Sequence, residues 1–458
     1  MGSRMARIWA DKALTPSGWK KNITVTIEAD GFITNIDDGI HLPDHKVGCL
    51  LPAPVNVHSH SFQRAMAGLT ERRGPNPNDT FWTWRKLMYQ FLDQITPDDI
   101  EAIAAFVQME MLEAGFSTNV EFHYLHHQKD GRNYNNISET SERIMSAKNL
   151  SGIGLTLLPV LYQFGGCDNR PLEKGQIRFG NDFDNFSRIY DKIKACLVAY
   201  SKDTNCGVAP HSLRAVHPKD LQKIISLSNG NPIHMHLAEQ VAEVDEVKEA
   251  FGARPAEWML GNIDLSSQWC LIHSTQILQH EVIGLAKTGA VAGLCPITES
   301  SLGDGIFEGV KWLKNKGKIA VGSDSNIRIS LSEELRTLDY SQRLRDRSRA
   351  ALADNVYSTG RKLFQEICTG GALASARKTG QISVGYWADL MSLDTTHIDL
   401  EFRDGDDILD CFIFAGDDRM ITNVWSAGRH MVQGGKHINR EKITSLYRSY
   451  IKKLNNKL

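Results

Sequence analysis

A chain of 458 residues is too long for one small domain, and its hydrophobic content of 41% is ordinary for a globular protein. Its 52 basic and 54 acidic residues nearly cancel to a net charge of −2, which provides no basic field for nucleic acid. We find no apolar run of bilayer length and no signal-peptide core, and the eight cysteines lack Cys-x-x-Cys spacing. We therefore predict a cytoplasmic protein with reduced thiols and without a membrane or nucleic-acid partner.

The first fifty residues predict short β-strands, including 23–28 and 32–36 on either side of an Asp-Gly turn. From residue 51 to about 330 the pattern changes to strands that alternate with helices. The strands predicted in this part are 53–57, 118–122, 154–160, 207–210, 233–237, 269–272, 290–294 and 319–322. Eight strand–helix units in this order predict a (β/α)8 barrel.

After the eighth strand the sequence predicts helices over 331–346 and 358–376, then strands, and a final helix over 440–455. We therefore predict an α/β fold with two parts. The (β/α)8 barrel takes residues 51–378. A small β-sandwich domain is built from both chain ends, residues 1–50 and residues 379–458, with the final helix attached.

Potential metal ligands stand where several predicted barrel strands end. A single His-x-His is ordinarily a pair of polar loop residues, so the interpretation depends on what the other strands supply. The residues at these strand ends are His58 and His60 (first strand), His234, His236 and Glu239 (fifth), His273 (sixth) and Asp324 (eighth). Because the carboxyl ends of barrel strands meet at one rim, this set predicts a metal site with hydrolytic chemistry.

Three neutral imidazoles and one carboxylate suit one divalent metal ion, with zinc as the best match. The predicted ligands are His58, His60, His236 and Asp324. Alternation along the strand leaves His234 and His236 equivalent, and we choose His236 because it is nearer the rim and Glu239. The fourth strand offers no lysine that could be carbamylated to bridge two ions, which favours a single metal.

A metal-activated water needs a base to take its proton, an acid to protonate the leaving group and a cation near the developing oxyanion. Glu239, His273 and Asp324 have suitable chemistry for these tasks, and we predict them as the catalytic residues. The alternative for Glu239 is a structural carboxylate near a helix N-terminus.

These rim residues resemble the amidohydrolase superfamily in its single-metal deaminase branch. Longer stretches are similar to the formimidoylglutamate deiminase family, and the resemblance covers nearly the whole chain. The stretches that carry it are 58–68, 81–85, 121–127, 209–215, 293–305 and 322–325. Two positions depart from the expected pattern, Pro54 and Asn326, and neither is a predicted ligand.

The resemblance implies zinc-dependent hydrolysis of N-formimino-L-glutamate to N-formyl-L-glutamate and ammonia, a step in histidine degradation. Two substrate carboxylates call for arginines, and Arg85 and Arg214 are the candidates. By the same resemblance Gln63, Tyr124 and His211 join the substrate pocket, and a homo-oligomer, expected to be a dimer, is implied. Each residue has an ordinary alternative, such as a solvated helix charge for Arg85 or core packing for Tyr124.

Three other functions stay open. A deaminase of a purine, or of another amidine or guanidine, would use the same metal ligands, but carboxylate-binding arginines would have no purpose there. A ring-opening amidohydrolase of the imidazolonepropionase kind would release no ammonia. A metal-free scaffold is disfavoured because the predicted ligands and acid–base residues are all intact.

Overall fold

The structure is a computed structural model that describes residues 5–71 and 88–455. Its strands are β1 Ala6–Thr15, β2 Gly18–Ile27, β3 Ile33–Asp38, β4 His45–Pro52, β5 Val55–Ser59, β6 Thr118–His123, β7 Gly154–Leu161, β8 Thr204–Cys206, β9 Ala209–Pro210, β10 Ile233–Leu237, β11 Trp269–His273, β12 Val291–Leu294, β13 Lys318–Val321, β14 Leu390–Leu393, β15 Ile421–Ser426, β16 Arg429–Gln433 and β17 Lys436–His437. The longer α-helices are Pro97–Glu113, Glu139–Ser151, Phe183–Cys196, Pro218–Ser228, Val241–Phe251, Pro255–Asn262, Gln279–Thr288, Pro296–Leu302, Gly309–Lys314, Leu331–Asp346, Thr359–Ser375 and Arg440–Asn455.

Parallel strands β5 to β13 form the barrel, as two hydrogen-bonded sheets that single bridges join. The first sheet contains β5 to β9 and the second contains β10 to β13. Val208 bridges to Ile233 between the fourth and fifth strand positions, and Ser59 bridges to Asp324 between the first and eighth. The predicted (β/α)8 barrel is confirmed, and it closes beside two of the predicted metal ligands.

The fourth barrel position differs from the single strand predicted over 207–210. Two short strands, β8 and β9, stand there, because the backbone changes its hydrogen-bonding partner between them. Gly207 N donates to Leu157 O of β7 at 3.0 Å, whereas Val208 N donates to Pro232 O, next to β10, at 3.0 Å. A Cβ atom on Gly207 would lie 2.3 Å from Pro232 O, so glycine is required for this close approach.

A β domain is built from both chain ends, as predicted. Its eight strands pair in the order β17-β16-β15-β14-β4-β1-β2-β3. Strand β4 pairs in parallel with β1 and antiparallel with β14, so it joins the N-terminal and C-terminal parts. The domain has an apolar cluster of its own, separate from the barrel core, with Ile8, Val25, Leu390 and Trp425 among its buried members.

A buried ionic network attaches the β domain to the barrel. Asp203, just before β8, binds Lys148 with 2.9 Å between Nζ and Oδ1, and it also binds Arg429 of β16. Arg377 binds Asp389 through two hydrogen bonds of 2.7 and 3.0 Å and donates to the backbone oxygen of Asp203 at 3.2 Å. Because both carboxylates are fully buried, each requires its cationic partners.

All eight cysteines of the chain are free thiols, and six of them are buried. Within residues 5–71 and 88–455, no helix has both the length and the apolar character needed to cross a membrane.

Candidate active site

The predicted metal ligands come from three barrel strands and meet at the carboxyl rim. His58 lies in β5, His236 in β10, and Asp324 follows β13. The Asp324 N–H donates to His58 O at 2.9 Å, and the His60 N–H donates to Asp324 O at 3.0 Å. These two backbone hydrogen bonds fix the His-x-His segment against the end of the eighth barrel strand.

The donor atoms of these side chains converge at the spacing of a metal coordination shell. His58 Nε2 lies 3.1 Å from His236 Nε2 and 3.5 Å from Asp324 Oδ1, and His60 Nε2 lies 3.4 Å from the same oxygen. A tetrahedral zinc ion with bonds of about 2.0–2.1 Å places its ligand atoms about 3.3–3.4 Å apart. The three observed separations are close to this spacing, so His58 and its neighbours His60, His236 and Asp324 could contribute ligands to a metal ion.

Hydrogen bonds to Nδ1 and burial of the rings favour imidazoles whose Nε2 lone pair is available to a metal ion. His60 Nδ1 donates to Phe122 O at 3.0 Å, and His236 Nδ1 donates to His211 O at 3.1 Å, which leaves each Nε2 without a proton in the neutral ring. Burial lowers the pKa of His60 to about 3 and holds the pKa values of His58 and His236 well below their usual range. All three rings are thus neutral, as metal ligands must be.

The carboxylate among these rings requires a cation. Burial raises the pKa of Asp324 to about 7; His273 opposes this shift, and the neighbouring Glu239 and Glu299 add to it. A carboxylate buried against neutral imidazoles is costly unless a positive ion accompanies it. A divalent cation held by the three lone pairs and this carboxylate would balance the charge, so the residues fit the metal that the sequence predicts.

His234 does not join this group. It is fully buried, and its Nε2 lies 2.7 Å from Ala374 O at the end of the helix Thr359–Ser375. Alternation along β10 left His234 and His236 equivalent. Of these two residues, His236 is the one with a ring nitrogen close to that of another predicted ligand, His58.

His273 lies among three carboxylates. Its Nε2 is 3.7 Å from Glu239 Oε1 and 3.7 Å from Asp324 Oδ2, and its Nδ1 is 3.2 Å from Glu299 Oε1. Burial alone lowers the pKa of His273, but the three carboxylates outweigh burial and hold the pKa well above its usual value. These carboxylates favour the form of the ring that donates hydrogen bonds. His273 also lies close enough to His58 and His236 for the three rings to form a possible metal site.

Glu299 is a residue that the sequence analysis missed. It lies in the helix Pro296–Leu302, which follows β12, the seventh barrel strand. Its Oε1 also accepts from Cys295 N at 2.8 Å, which fixes the carboxylate toward His273. The rule that each barrel strand end contributes to the rim would have marked this segment for inspection.

Several rim residues have left-handed backbone although they are not glycine. The φ angles are 51° at Ala238, 68° at His273, 51° at Ser274 and 47° at Asp324. Such conformations are unfavourable for residues with a Cβ atom and persist where the surroundings hold them. Ser274 N donates to Leu237 O at 3.0 Å and so fixes the turn after His273.

Two buried polar groups support the first strand end. Glu121 accepts from the Ser61 backbone N and hydroxyl at 2.7 Å each, and from Asn119 Nδ2 at 3.0 Å. Asn326, where the pattern departs from histidine, donates to Ser59 Oγ at 3.2 Å and to Asp324 O at 3.0 Å. The Asn326 amide therefore links the first and eighth barrel strands beside the metal donors.

A pocket opens beside the metal donors. Four of the five predicted substrate-binding residues line it: Gln63, Tyr124, His211 and Arg214. Gln63 Nε2 donates to Tyr124 OH at 3.1 Å. Arg214 is 7% exposed; burial lowers its pKa, but Tyr162 and Glu243 outweigh burial and raise it. The fifth predicted residue, Arg85, lies outside the described residues.

The pocket also contains side chains that the sequence analysis did not select. These are Met88, Tyr89, Tyr162, Phe179, Thr298, Leu302 and Ser325. Tyr162 directly follows β7, and Ser325 directly follows Asp324, so both stand at strand ends that could have been inspected. Phe179 lies in a turn, where no period marks the residues that face a pocket, and Met88 and Tyr89 lie in a short helical stretch.

The family models match almost the full chain. Residues 49–431 match the amidohydrolase family, and residues 5–42 match the N-terminal domain of formimidoylglutamate deiminase HutF. A formimidoylglutamate deiminase of Pseudomonas aeruginosa is 43% identical over 442 residues, with 96% of this chain and 97% of that protein covered.

Solved structures share the fold. An amidohydrolase of Brucella melitensis superposes with a TM-score of 0.93 at 41% identity, covering 98% of this chain and 99% of that chain. An adenosine deaminase of Xanthomonas campestris with bound zinc has a TM-score of 0.81 at 18% identity, and 98% of each chain is covered. The chain is thus an amidohydrolase family member, and its 43% identity over almost its whole length places it among the formimidoylglutamate deiminases.

Proposed function

We propose that this protein hydrolyses N-formimino-L-glutamate to N-formyl-L-glutamate and ammonia in histidine degradation, with one zinc ion at its active site. The observation that carries the proposal is a chain of three separations of 3.1, 3.5 and 3.4 Å that links three imidazole Nε2 atoms and one carboxylate. The Pseudomonas aeruginosa relative supports the choice of substrate.

The residues that would hold the zinc ion are His58, His60, His236 and Asp324. When bound, the ion would lower the pKa of a water molecule toward neutrality and so provide a nucleophile. The zinc in the related adenosine deaminase of Xanthomonas campestris supports this choice of metal.

We assign the proton transfers of this reaction to three residues: Asp324, His273 and Glu239. Asp324 would accept a proton from the attacking water, and a protonated His273 would donate a hydrogen bond toward the attacking oxygen. Glu239, 3.7 Å from His273 Nε2 and on the pocket wall, carries protons to the terminal nitrogen of the formimino group. A carbon–oxygen bond forms, the bond to the terminal nitrogen breaks, and ammonia leaves while the carbon stays on the glutamate nitrogen.

The pocket beside the metal donors would hold the substrate, and arginines would bind its two carboxylates. Arg214, buried beside this pocket, would bind one of them, and Arg85 would bind the other. Gln63, Tyr124 and His211 would supply neutral hydrogen-bonding groups and a flat wall for the chain between the carboxylates.

The prediction of a cytoplasmic homodimer stays part of this proposal. Light scattering on the purified protein would measure the molar mass of the assembly. Fractionation of the source cells would test the compartment.

The decisive experiment is incubation of the zinc-loaded protein with N-formimino-L-glutamate, with separate assays for ammonia and N-formylglutamate. Equal molar amounts of both products are expected, and chelation followed by zinc readdition should abolish and restore them. Formation of glutamate or formamide in place of N-formylglutamate would refute the proposed reaction. Adenosine serves as a control substrate that lacks carboxylates, and turnover of adenosine without turnover of N-formimino-L-glutamate would favour a purine deaminase.

A further inference from the structure

A cavity lies between the β domain and the helix Thr359–Ser375, away from the active site. Its wall includes Leu14 and Pro16 at the β1–β2 turn, Pro52 at the end of β4, and Arg361 and Phe364 of the helix. We propose that this cavity binds a small monocarboxylate with a flat apolar body, whose carboxylate pairs with Arg361.

The guanidinium of Arg361 lacks the partners that a buried cation requires. The residue is only 5% exposed, and its Nε and Nη1 atoms have no hydrogen-bond partner among the described residues. The ring of Tyr357, 5.2 Å from Cζ, gives a cation–π contact but accepts no conventional hydrogen bond from the guanidinium. A buried charged group left without hydrogen bonds is costly, so an anion in the adjoining cavity would stabilise this side chain.

Two other buried arginines of this chain, Arg178 and Arg377, are fully engaged. Arg178 donates to the backbone oxygens of His127 and Ile95 at 3.0 and 3.2 Å, and also to that of Leu92. Arg377 binds both oxygens of Asp389. Arg361 differs from these two arginines, because two of its guanidinium nitrogens lack a partner among the described residues and the residue lines a cavity.

The local backbone adds to the preference for an anion. Ser358 caps the helix by accepting from Arg361 N at 3.3 Å, so Arg361 stands in the first turn. The partial positive charge of a helix N-terminus disfavours a cation at this position and favours an anion. The seventeen-residue helix and the guanidinium thus favour the same ligand charge.

The size and lining of the cavity indicate the class of anion. Its volume of about 150 Å³ equals that of an apolar protein cavity of roughly 150 Å³ that binds benzene. Leu14, Pro52, Phe364 and Cys368 provide an apolar part of the lining, and Thr15, Gln365, Thr369 and Gln381 provide neutral polar groups. Arg361 is the one charged residue among the described residues that line it. A single cation balances a monocarboxylate but leaves a dianionic phosphate with uncompensated charge.

The cavity is separate from the pocket of the proposed reaction. The two share no lining residue among those described. Pro52 precedes the start of β5, whereas the metal donors His58 and His60 stand at its end. A ligand here would bridge the β domain and the barrel helix without contacting the catalytic residues.

The test uses 4-fluorobenzoate as the probe, observed by ¹⁹F NMR during titration with the zinc-loaded full-length protein. We expect saturable binding to the wild type and binding at least about tenfold weaker for 4-fluorobenzamide, which has the same shape without the charge. No saturable binding of 4-fluorobenzoate to the wild type would overturn the proposal.

Matched variants distinguish this cavity from the active site, where Arg214 also faces carboxylates. Arg361→Gln should weaken the binding of 4-fluorobenzoate at least about tenfold, and Arg214→Gln should leave it unchanged. The opposite result, with binding lost in Arg214→Gln and retained in Arg361→Gln, would overturn the proposal.

A second variant keeps the cation and blocks the cavity. Thr369→Phe places a ring at the half-exposed wall of the cavity, so binding should be lost although Arg361 is intact. Full binding by Thr369→Phe would contradict the assignment, even if Arg361→Gln proved too unstable to study. Zinc content and deiminase turnover should be unchanged in Thr369→Phe, so this test is independent of the proposed reaction.

Discussion

Asp203 connects the barrel to the β domain, and its replacement offers a quantitative test of that connection. In Asp203→Asn, the Lys148 ammonium loses a carboxylate 2.9 Å away, and Arg429 loses the same partner. Coulomb's law with an effective dielectric constant of about 20 gives about 6 kcal/mol for the Lys148 contact alone. Because asparagine still accepts a hydrogen bond, we expect the free energy of unfolding to fall by about 3–5 kcal/mol, the usual cost of breaking a buried ion pair.

The same carboxylate makes a defined contribution to the pH dependence of stability. Burial alone raises the pKa of Asp203, but Arg429, Lys148 and Arg377 outweigh burial and hold the pKa well below its usual range. The folded-state pKa is thus below the unfolded value of about 3.9, so the contribution is complete above that pH. It is lost as the pH falls below about 4 toward the folded-state pKa, and Asp203→Asn should lack this component.

Equilibrium urea unfolding, followed by circular dichroism from pH 7 to pH 3, measures both effects. The matched control is Asp346→Asn, which removes a carboxylate that binds only the adjacent Arg345 at the surface, among the contacts described. The control should cost no more than about 1 kcal/mol. A loss below about 1 kcal/mol for Asp203→Asn at pH 7, equal to its control, would refute the view that this network holds the two parts together.

Three substitutions test the active site. Glu239→Gln should lower kcat by about 10²–10⁴-fold while zinc stays near one per chain by elemental analysis, and loss of zinc would contradict its role as a proton carrier. Glu299→Gln retains an acceptor for His273 but removes the charge, so kcat should fall about tenfold or more with KM unchanged; an unchanged kcat would contradict this positioning role. Arg214→Gln should raise KM for N-formimino-L-glutamate about 10–100-fold, and an unchanged KM would exclude carboxylate binding there.

The fold was predictable from the sequence where periodicity is strong and local. Strand β10 and the helices Leu331–Asp346 and Arg440–Asn455 have the predicted bounds, because their apolar spacing and flanking residues define both ends. The fourth barrel strand was predicted less well. Its interruption at Gly207 depends on a switch of partner from Leu157 O to Pro232 O, which is a tertiary event without a local signal.

The candidate metal donors were predictable for a related reason. Barrel topology converts positions at strand ends into neighbours in space, so His58 and Asp324 could be grouped although 266 positions separate them. Alternation along β10 could not separate His234 from His236, because both point inward. What separates them is depth in the barrel: His234 meets Ala374 O, and His236 meets His58.

The residues that support the active site were missed because their roles depend on contacts between distant parts of the chain. Glu299 and Glu121 matter because of what they touch, His273 and Ser61 respectively, and nothing in their own sequence neighbourhoods reports these contacts. Arg361 is the extreme case, since an arginine in the first turn of a helix is ordinarily a solvated charge. Only packing against the β domain makes it a buried cation with two guanidinium nitrogens that lack a hydrogen-bond partner among the described residues. A proposed role that depends on unpaired hydrogen-bond donors, such as those of Arg361, can therefore be recognised only in the folded chain.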